Sequence, residues 1–306
     1  MQTEISTSNA NDIKKNSILA WVLAFRPRTL SAGSIPVIVA SALAYRDGSF
    51  RWVPALLCLF FSLLAQIASN LANDYFDYRY SSDSHSVRLG PARAVSSGWI
   101  SPKAMLFAIV AVIILASIFG LGLIYYGGWE MIIVGIICVV SLIAYSAGPY
   151  PLSRNGLGDV FVLVFFGWVA TAFTYYVQTI HFTPDVFLAG TIVGLGAVNI
   201  LVLNNYRDYP TDLSEGKRTT VVIFGLRFGR VAYLTNGILA TILCIFLMRN
   251  GHCAYLLSLL YLPVHIKTWY GICHTKGVAL NRYLGLTSRN LLLLGLLITL
   301  GNLISK

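Results

Sequence analysis

Two Asn- and Asp-rich stretches, about 130 residues apart, contain the side chains of this chain that are best suited to chemistry. The first runs Asn70-Leu-Ala-Asn-Asp-Tyr-Phe-Asp77 and is followed by Asp83, and the second runs Asn204-Asn-Tyr-Arg-Asp-Tyr-Pro-Thr-Asp212. The chain has only twelve Asp and Glu residues, and ionisable groups beside lipid are costly and usually functional. Carboxylates are hard ligands for Mg²⁺, which prefers sites that substrate phosphates complete. The stretches therefore predict metal-dependent handling of a diphosphate at a membrane surface.

The spacing within each stretch predicts that its polar side chains share one helix face, because positions i and i+4 are neighbours on a helix. The pairs at this spacing are Asn73 with Asp77, Asn70 with Asp74, and Asp208 with Asp212. A single acid of this kind can equally be a helix cap or the partner of a loop cation. Two facing sets can hold a metal-bound diphosphate between them. Pro210 predicts that the second helix breaks there.

Basic residues come after each acidic stretch, in Arg88-Leu-Gly-Pro-Ala-Arg93 and in Gly216-Lys217-Arg218-Thr219. Diphosphate binding needs direct cation contacts as well as metal, and Arg suits bidentate phosphate contacts. Retention of positive loops on the inner side of a membrane explains the same residues without any ligand. Both interpretations remain open, as they do for Arg26-Pro-Arg28-Thr29, which is either a cytoplasmic anchor or part of the site.

A further candidate is the run Tyr145-Ser146-Ala-Gly-Pro-Tyr-Pro-Leu152, which ends an apolar segment. It is either a plain Gly/Pro turn or an aromatic and hydroxyl lining for a cavity.

The composition is that of a protein with many membrane spans. Hydrophobic residues make up 57% of the 306-residue chain and charged residues 11%, against about 45–50% and about 25% in soluble domains. The net charge of +10 does not indicate nucleic-acid binding, because the basic residues are spread between apolar segments. Five scattered cysteines predict neither a disulfide framework nor a zinc site.

Nine segments have roughly the 20 mostly apolar residues that a membrane span needs, at 29–45, 53–72, 104–126, 130–148, 157–177, 186–206, 231–248, 253–273 and 288–304. We expect an all-α polytopic bundle of about nine helices forming a single domain, after a flexible polar segment at 1–16. With the N-terminus inside, eighteen Lys and Arg lie on the inner side and four on the outer side. This asymmetry predicts that both acidic stretches face the cytoplasm of a bacterial inner membrane.

Two long inner loops are predicted at about 73–103 and 207–230, after the second and the sixth spans. This four-helix spacing between equivalent motifs suggests two pseudo-repeated halves around a central cavity. Irregular polar backbone at membrane depth is tolerated only where it lines such a cavity.

The paired motifs Asn73-Asp-x-x-Asp77-x5-Asp83 and Asp208-x3-Asp212 resemble those of the UbiA superfamily of intramembrane aromatic prenyltransferases, and the resemblance covers nearly the whole chain. Further runs are most similar to the branch that prenylates 1,4-dihydroxy-2-naphthoate in menaquinone synthesis. They are Arg26-Pro-Arg-Thr29, Asn70 to Asp77, Arg88-Leu-Gly-Pro-Ala-Arg-Ala94, Asn155-Gly-Leu-Gly-Asp159, Asn204 to Asp212 and Gly216-Lys-Arg-Thr219.

The resemblance implies a set of site residues. Asn73, Asp77, Asp208 and Asp212 would hold Mg²⁺, two ions in all, on an isoprenyl diphosphate. Asp74 and Asp83 would support the first ion, and Lys217 and Arg218 would contact the diphosphate or close a loop over it. The remaining candidate substrate-binding residues are Arg28, Arg88, Arg93, Tyr145, Ser146, Arg154 and Asn204.

Two departures from the superfamily pattern leave roles open. Ser153-Arg154 stands where other branches have a Tyr-x-x-x-Lys element, so Arg154 either supplies that cation or the cation is absent. Ser146-Ala147 replaces a more usual Thr-Gly pair.

The reaction implied is Mg²⁺-dependent transfer of a polyprenyl group to 1,4-dihydroxy-2-naphthoate with loss of CO₂, giving demethylmenaquinone. The alternatives are transfer to 4-hydroxybenzoate, homogentisate or haem. A cation or phosphate transporter is a further alternative, but it predicts acids near the bilayer midplane in discontinuous helices. The partners expected are the prenyl diphosphate, the aromatic acceptor and membrane lipid, with no nucleic acid.

Overall fold

The computed structural model describes residues 13–80, 89–248 and 253–305, and every regular element within them is helical. A short α1 (Ile18–Phe25) precedes nine longer helices. These are α2 (Ser31–Arg46), α3 (Trp52–Tyr80), α4 (Pro102–Gly127), α5 (Glu130–Ser146), α6 (Gly158–Thr179), α7 (Pro184–Ser214), α8 (Thr220–Ile245), α9 (Tyr261–Cys273) and α10 (Asn281–Ile304). A 3₁₀ segment, Cys253–Leu260, leads into α9. The nine longer helices match the nine predicted spans, which confirms the all-α bundle.

The length and apolar composition of the helices make this a multi-pass membrane protein. Among the described residues, six helices are long and apolar enough to cross a membrane, namely α3, α4, α6, α7, α8 and the segment Gly277–Ile304 that contains α10. Helix α5 is a shorter apolar helix. Apolar side chains project outward from several of these helices, as expected where lipid is the solvent.

Helix α7 is the central element of the bundle. Most of its apolar stretch is buried, and it packs against α8, α6, α10 and α2. Gly190 and Gly194 of α7 face Gly167 of α6 so closely that a Cβ atom on Gly167 would lie 2.7 Å from the Gly190 carbonyl oxygen. Small residues at this spacing allow two helices in a membrane to approach closely. The glycine contact thus sets the distance between α6 and the helix that carries the second acidic stretch.

Both acidic stretches lie on helices, which corrects the prediction of long loops at 73–103 and 207–230. Helix α3 continues to Tyr80, α7 continues to Ser214, and α8 begins at Thr220. Among the predicted segments and site residues, 1–12, Asp83 and Arg88 lie outside the described part of the chain.

The prediction that the second helix breaks at Pro210 is wrong, because Pro210 lies inside α7. A proline removes one backbone donor, but only the final turn of α7 comes after it. That turn is held by side chains, because Thr211 Oγ1 donates to the Asp208 carbonyl at 2.8 Å. Ser214 Oγ donates to the Thr211 carbonyl at 2.9 Å.

Candidate active site

The ends of α3 and α7 meet at a polar cavity of about 180 Å³. We call this end of the bundle the motif end. Charged and amide side chains from both acidic stretches converge there with residues of the neighbouring connections. The charged and amide residues of the lining, with the one tyrosine, are Arg26, Gln66, Asn70, Asn73, Asp77, Arg93, Tyr145, Arg154, Asn204, Asn205, Arg207, Asp208, Asp212 and Lys217.

The first acidic face consists of Asn73 and Asp77, one helical turn apart on α3. The Asp77 carboxylate forms an ion pair with Arg93, whose Nη1 also donates to the Asn73 carbonyl at 2.9 Å. Ser146 Oγ donates to Asn73 Oδ1 at 2.7 Å from the end of α5. The Asn73 amide oxygen therefore has a defined orientation, with its remaining lone pair available to a ligand.

Asp74 lies on a different face of α3 from Asp77 and does not line the cavity. Asp74 is 2% exposed, and its carboxylate accepts hydrogen bonds from the backbone amides of Ala94 and Val95, at 2.8 and 3.0 Å. The carboxylate thus holds the segment after Arg93 against α3, and this contact carries the Arg93 guanidinium to Asp77. Asp74 positions the site without facing it.

The second acidic face begins with Asp208, which is held by the residue before it. Arg207 Nε and Nη2 donate to the two Asp208 oxygens at 2.8 and 2.6 Å. Arg207 is 2% exposed, and its Nη1 donates to Asn281 Oδ1 at 2.9 Å. Asn281 Nδ2 in turn donates to the Leu89 carbonyl at 3.1 Å. The start of α10 therefore joins the second acidic stretch to the connection after the first.

Lys217 reaches the cavity because the chain reverses at the end of α7. Gly216 has a φ of +67°. The Lys217 amide donates to the Asp212 carbonyl at 2.9 Å, and the Gly216 amide donates to the Leu213 carbonyl at 3.2 Å. This pair of bonds is a Schellman turn. It returns the Lys217 ammonium to 3.2 Å from Asp212 and 3.9 Å from Asp77, so one cation lies between carboxylates of two helices.

Two guanidinium groups at the cavity have donors to spare. Arg154 Nη1 lies 3.9 Å from Asp77, and Arg93 lies against the same carboxylate. Arg93 Nε and Arg154 Nη1 are buried and make no hydrogen bond within the described residues. Buried donors of this kind are normally satisfied, so an anionic ligand is the natural partner. Burial, with the nearby charge of Arg26, lowers the pKa of Arg93 to about 9, which leaves it charged at neutral pH.

The candidate metal ligands at the cavity are hard oxygens, as Mg²⁺ requires. They are the carboxylates of Asp77, Asp208 and Asp212 and the amide oxygen of Asn73. Within the described residues, no group of three or more His, Cys, Asp or Glu is arranged to hold a metal ion alone. Mg²⁺ is usually bound through one or two carboxylates together with substrate phosphates, rather than in an all-protein cage. The residues therefore fit a metal that binds with a phosphorylated substrate.

An apolar chamber of about 120 Å³ adjoins the polar cavity and shares Ser69, Phe161 and Phe166 with it. Helices α2 to α6 supply its walls. Helix α6 is a π-helix over Leu163–Val169, and this segment carries Phe165 and Phe166 to the chamber. The Tyr145 and Phe161 rings pack 5.2 Å apart at the junction. The charged cavity thus opens onto a space lined by aromatic and aliphatic groups.

The sequence profile of the UbiA prenyltransferase family matches residues 34–284.

The chain belongs to the UbiA prenyltransferase family. It is similar to the 1,4-dihydroxy-2-naphthoate octaprenyltransferase of Escherichia coli (strain K12), with 34% identity over 297 residues that cover 94% of this chain and 96% of the relative. The protein of the same name from Haemophilus influenzae is 35% identical over 219 residues, which cover 69% of this chain and 71% of that protein.

Solved structures share the helical fold of this UbiA-family prenyltransferase. A UbiA homolog from Aeropyrum pernix K1 superposes with a TM-score of 0.66 at 16% identity, covering 88% of this chain and 96% of that one. A UbiA homolog from Archaeoglobus fulgidus, bound to DMAPP and Mg²⁺, superposes with a TM-score of 0.62 at 17% identity. That match covers 93% of this chain and 98% of the other.

Most of the predicted site residues lie together in the UbiA-family prenyltransferase. Asn73, Asp77, Arg93, Tyr145, Arg154, Asn204, Asp208, Asp212 and Lys217 all line the cavity. Ser146 lies behind Asn73, and Asp74 lies behind Arg93. Arg28 and Arg218 have exposed side chains that do not line the cavity. Arg154, whose role the sequence leaves open, lies at the cavity with its guanidinium 5.0 Å over the Tyr80 ring.

Several residues of the site were not singled out from the sequence, among them Arg26, Gln66 and Arg207 in the cavity lining and Asn281, which holds Arg207. Arg26 lines the cavity in place of Arg28, because its left-handed backbone at φ 52° turns the chain at the end of α1. The run Arg26-Pro-Arg28 indicates that an arginine of this segment could belong to the site, but it does not show which of the two lines the cavity. Asn281 is 74 residues from Arg207 along the chain, and no motif marks it.

Proposed function

We propose that this prenyltransferase moves a polyprenyl group from its diphosphate to 1,4-dihydroxy-2-naphthoate, with Mg²⁺ as cofactor. The observation that carries the proposal is the cavity itself, in which Asp77, Asp208 and Asp212 lie with five cationic side chains beside an apolar chamber. The naphthoate acceptor is supported by similarity to proteins named for that reaction in Escherichia coli and Haemophilus influenzae.

Mg²⁺ is assigned to the two acidic faces, with Asn73 and Asp77 on one and Asp208 and Asp212 on the other. The structure of an archaeal UbiA homolog bound to DMAPP and Mg²⁺ supports Mg²⁺ as the metal. When bound, the metal neutralises diphosphate charge and thereby favours loss of the diphosphate from the prenyl group. Two ions are expected, one for each face.

The cations of the chain bind and stabilise the leaving group. Arg93 Nε and Arg154 Nη1, which make no hydrogen bond within the described residues, would donate to diphosphate oxygens. An Arg side chain can contact two such oxygens at once. Lys217 stabilises the same charge as it develops, because it already lies between Asp77 and Asp212. Groups placed in advance where negative charge forms lower the barrier to breaking the C–O bond.

The aromatic junction is suited to the electron-poor carbon that remains. Phe161 lines both the charged cavity and the apolar chamber, and the Tyr145 ring packs against it from the cavity side. The π faces of such rings attract cations. We place the first part of the prenyl chain, next to the diphosphate, in the chamber, where Phe165 and Phe166 exclude water. Exclusion of water protects the allylic cation from hydrolysis.

The transfer balances without an external oxidant. The bond between prenyl C1 and a diphosphate oxygen breaks, and the electron-rich ring of the acceptor forms a new C–C bond to that carbon. The acceptor carboxylate leaves as CO₂, its bonding electrons return to the ring, and the other product is diphosphate. The prenylated diol is the reduced form of demethylmenaquinone.

The test is prenyl transfer by the purified protein in lipid. An allylic diphosphate is offered with 1,4-dihydroxy-2-naphthoate or with 4-hydroxybenzoate, each with Mg²⁺ and with EDTA. We expect product from the naphthoate alone, release of one CO₂ per product, and loss of both with EDTA. Product from 4-hydroxybenzoate instead would retain the site and overturn the acceptor. Product in EDTA would overturn the metal.

A further inference from the structure

Two connections at the motif end lie against each other and form one unit, which we call the latch. It consists of residues 152–159, between α5 and the first turn of α6, and residues 215–220, between α7 and α8. The Arg218 amide donates to the Arg154 carbonyl at 2.8 Å. Arg154 Nη2 donates to the Glu215 carbonyl at 3.2 Å. The two connections are thus joined in both directions through Arg154.

A side-chain contact joins the two helices that begin at the latch. Thr220, the first residue of α8, donates its hydroxyl to Asp159 Oδ2 at 2.5 Å, and Asp159 lies in the first turn of α6. The other Asp159 oxygen is buried and makes no hydrogen bond within the described residues. A buried carboxylate with a single hydrogen-bond partner is costly to keep. The Thr220 contact is the one hydrogen bond in the described residues that compensates this cost.

Glycine makes the approach of the two connections possible. Gly156 has a φ of +78°, and a Cβ atom on it would lie 3.2 Å from the Arg218 carbonyl oxygen. Gly216 has a φ of +67°. Both positions adopt a conformation that other residues reach only with strain. The latch therefore has a glycine in each of its two connections.

Lys217 lies between the bonded points of the latch. Residues 215 and 218 are held by Arg154, and residue 220 is held by Asp159, so the ammonium of Lys217 has a defined position over Asp77 and Asp212. We propose that the Thr220–Asp159 hydrogen bond is a positioning contact that keeps the Lys217 ammonium over the diphosphate site. The proposal rests on the proposed function, in which Lys217 binds the leaving diphosphate.

Three variants of the full-length protein test the contact. Thr220→Val keeps the shape of the side chain and removes the hydroxyl, and Thr220→Ser keeps the hydroxyl. Thr235→Val makes the same substitution in the same helix, where the exposed Thr235 hydroxyl bonds only to its own helix. We expect Thr220→Val to raise KM for the prenyl diphosphate about tenfold, a usual effect for a lost hydrogen bond to a charged group. KM for the acceptor, and both constants in Thr220→Ser and Thr235→Val, should equal those of the wild type.

A double-mutant cycle identifies Asp159 as the partner. Asp159→Ala should raise the same KM, and Thr220→Val combined with Asp159→Ala should be no worse than Asp159→Ala alone, because partners in one contact are not additive. If Asp159→Ala does not accumulate in membranes, hydrogen exchange provides the second measurement. Amides of residues 215–219 should exchange faster in Thr220→Val than in Thr220→Ser.

Each outcome has a definite reading. An unchanged KM for the diphosphate in Thr220→Val, or equal exchange rates in the two Thr220 variants, would overturn the positioning contact. Additive effects in the cycle would overturn the pairing with Asp159. Absence of transfer by the wild-type protein with every acceptor would instead overturn the proposed function, and the exchange measurement would still decide whether the Thr220 hydroxyl holds residues 215–219.

Discussion

Each of the three carboxylates that line the candidate site is paired with a cation, and the pairs differ in how they are made. Asp77 pairs with Arg93, Asp208 with Arg207, and Asp212 with Lys217. Asp74 has backbone amides as its partners instead. A carboxylate that accepts hydrogen bonds from backbone amides serves to hold the fold together. A carboxylate that is paired with a side-chain cation at a cavity can instead bind a metal ion in place of that cation. Asp74 and Asp77 should therefore respond differently to the same mutation.

At the residue scale we predict that Asp77→Asn mainly affects activity and that Asp74→Asn mainly affects stability. Asp77→Asn should reduce kcat by about 10²–10³, the usual loss when one preorganised electrostatic group is removed, and should raise the Mg²⁺ concentration needed for activity. Asp74→Asn should lower the free energy of unfolding by about 1–3 kcal/mol, because an amide cannot accept both backbone hydrogen bonds. Kinetics and thermal unfolding in the same detergent measure both effects.

The mutants are each other's control. A large loss of stability in Asp77→Asn, or a changed Mg²⁺ requirement in Asp74→Asn with normal stability, would contradict this division of roles.

At the element scale, the Schellman turn at the end of α7 has a counterpart at the other end of the bundle. Gly48, after α2, has a φ of +74°, and Ser49 and Gly48 donate to Ala44 and Tyr45 as Lys217 and Gly216 do after α7. A Cβ atom would meet nothing within 4 Å at Gly48 or at Gly216. The two turns are alike in backbone, but the residue after the glycine is a serine in one and a cavity-lining lysine in the other.

We predict that Gly216→Ala and Gly48→Ala each cost roughly 1–2 kcal/mol of stability, the strain of an L-residue in the left-handed region. Only Gly216→Ala should raise KM for the prenyl diphosphate, because only that turn carries Lys217. Equal KM values for the two variants would show that the turn after α7 does not control the position of Lys217. Steady-state kinetics beside thermal unfolding in one detergent make the comparison.

The elements also show what a sequence can and cannot predict here. Apolar length was sufficient to find nine helices, and the i, i+4 spacing was sufficient to bring Asn73 and Asp77 to one face. Neither signal reports backbone direction at a turn, which decides between Arg26 and Arg28. Asp74 has the side chain of a metal ligand, and its sequence position does not show otherwise. Only the structure shows that it accepts hydrogen bonds from the backbone amides of residues 94 and 95 instead. Pro210 is tolerated because hydroxyls farther along α7 hold its last turn.

At the scale of the whole molecule, the end opposite the cavity is closed by a polar cluster. Arg46 donates to Asp185 at 3.0 Å and to the Tyr255 hydroxyl at 3.1 Å, and Tyr255 donates to Asn302 at 2.8 Å. These bonds join α2, α7, the 3₁₀ segment before α9, and α10. The bundle is thus tied at both ends, and the glycine contact between α6 and α7 lies between them.

We predict that this glycine contact determines the stability of the bundle. Gly167→Ala should destabilise by roughly 1–3 kcal/mol, the usual cost of overpacking. Gly285→Ala is the matched control, since a Cβ atom on that α10 residue meets nothing within 4 Å. That variant should be neutral or gain up to about 1 kcal/mol from helix propensity. Thermal unfolding in detergent measures both, and equal unfolding temperatures would contradict the prediction.

The link from Arg207 through Asn281 to Leu89 has a consequence for the order in which the site forms during translation. A ribosome makes Asn281 74 residues after Arg207 and 192 residues after Leu89. Until α10 is in place, Arg207 lacks its hydrogen bond to Asn281, and Leu89 is not joined to α7. A chain that has not yet been made as far as Asn281 therefore carries the carboxylates of both acidic stretches without this link, and the site becomes complete only after α10 has been added.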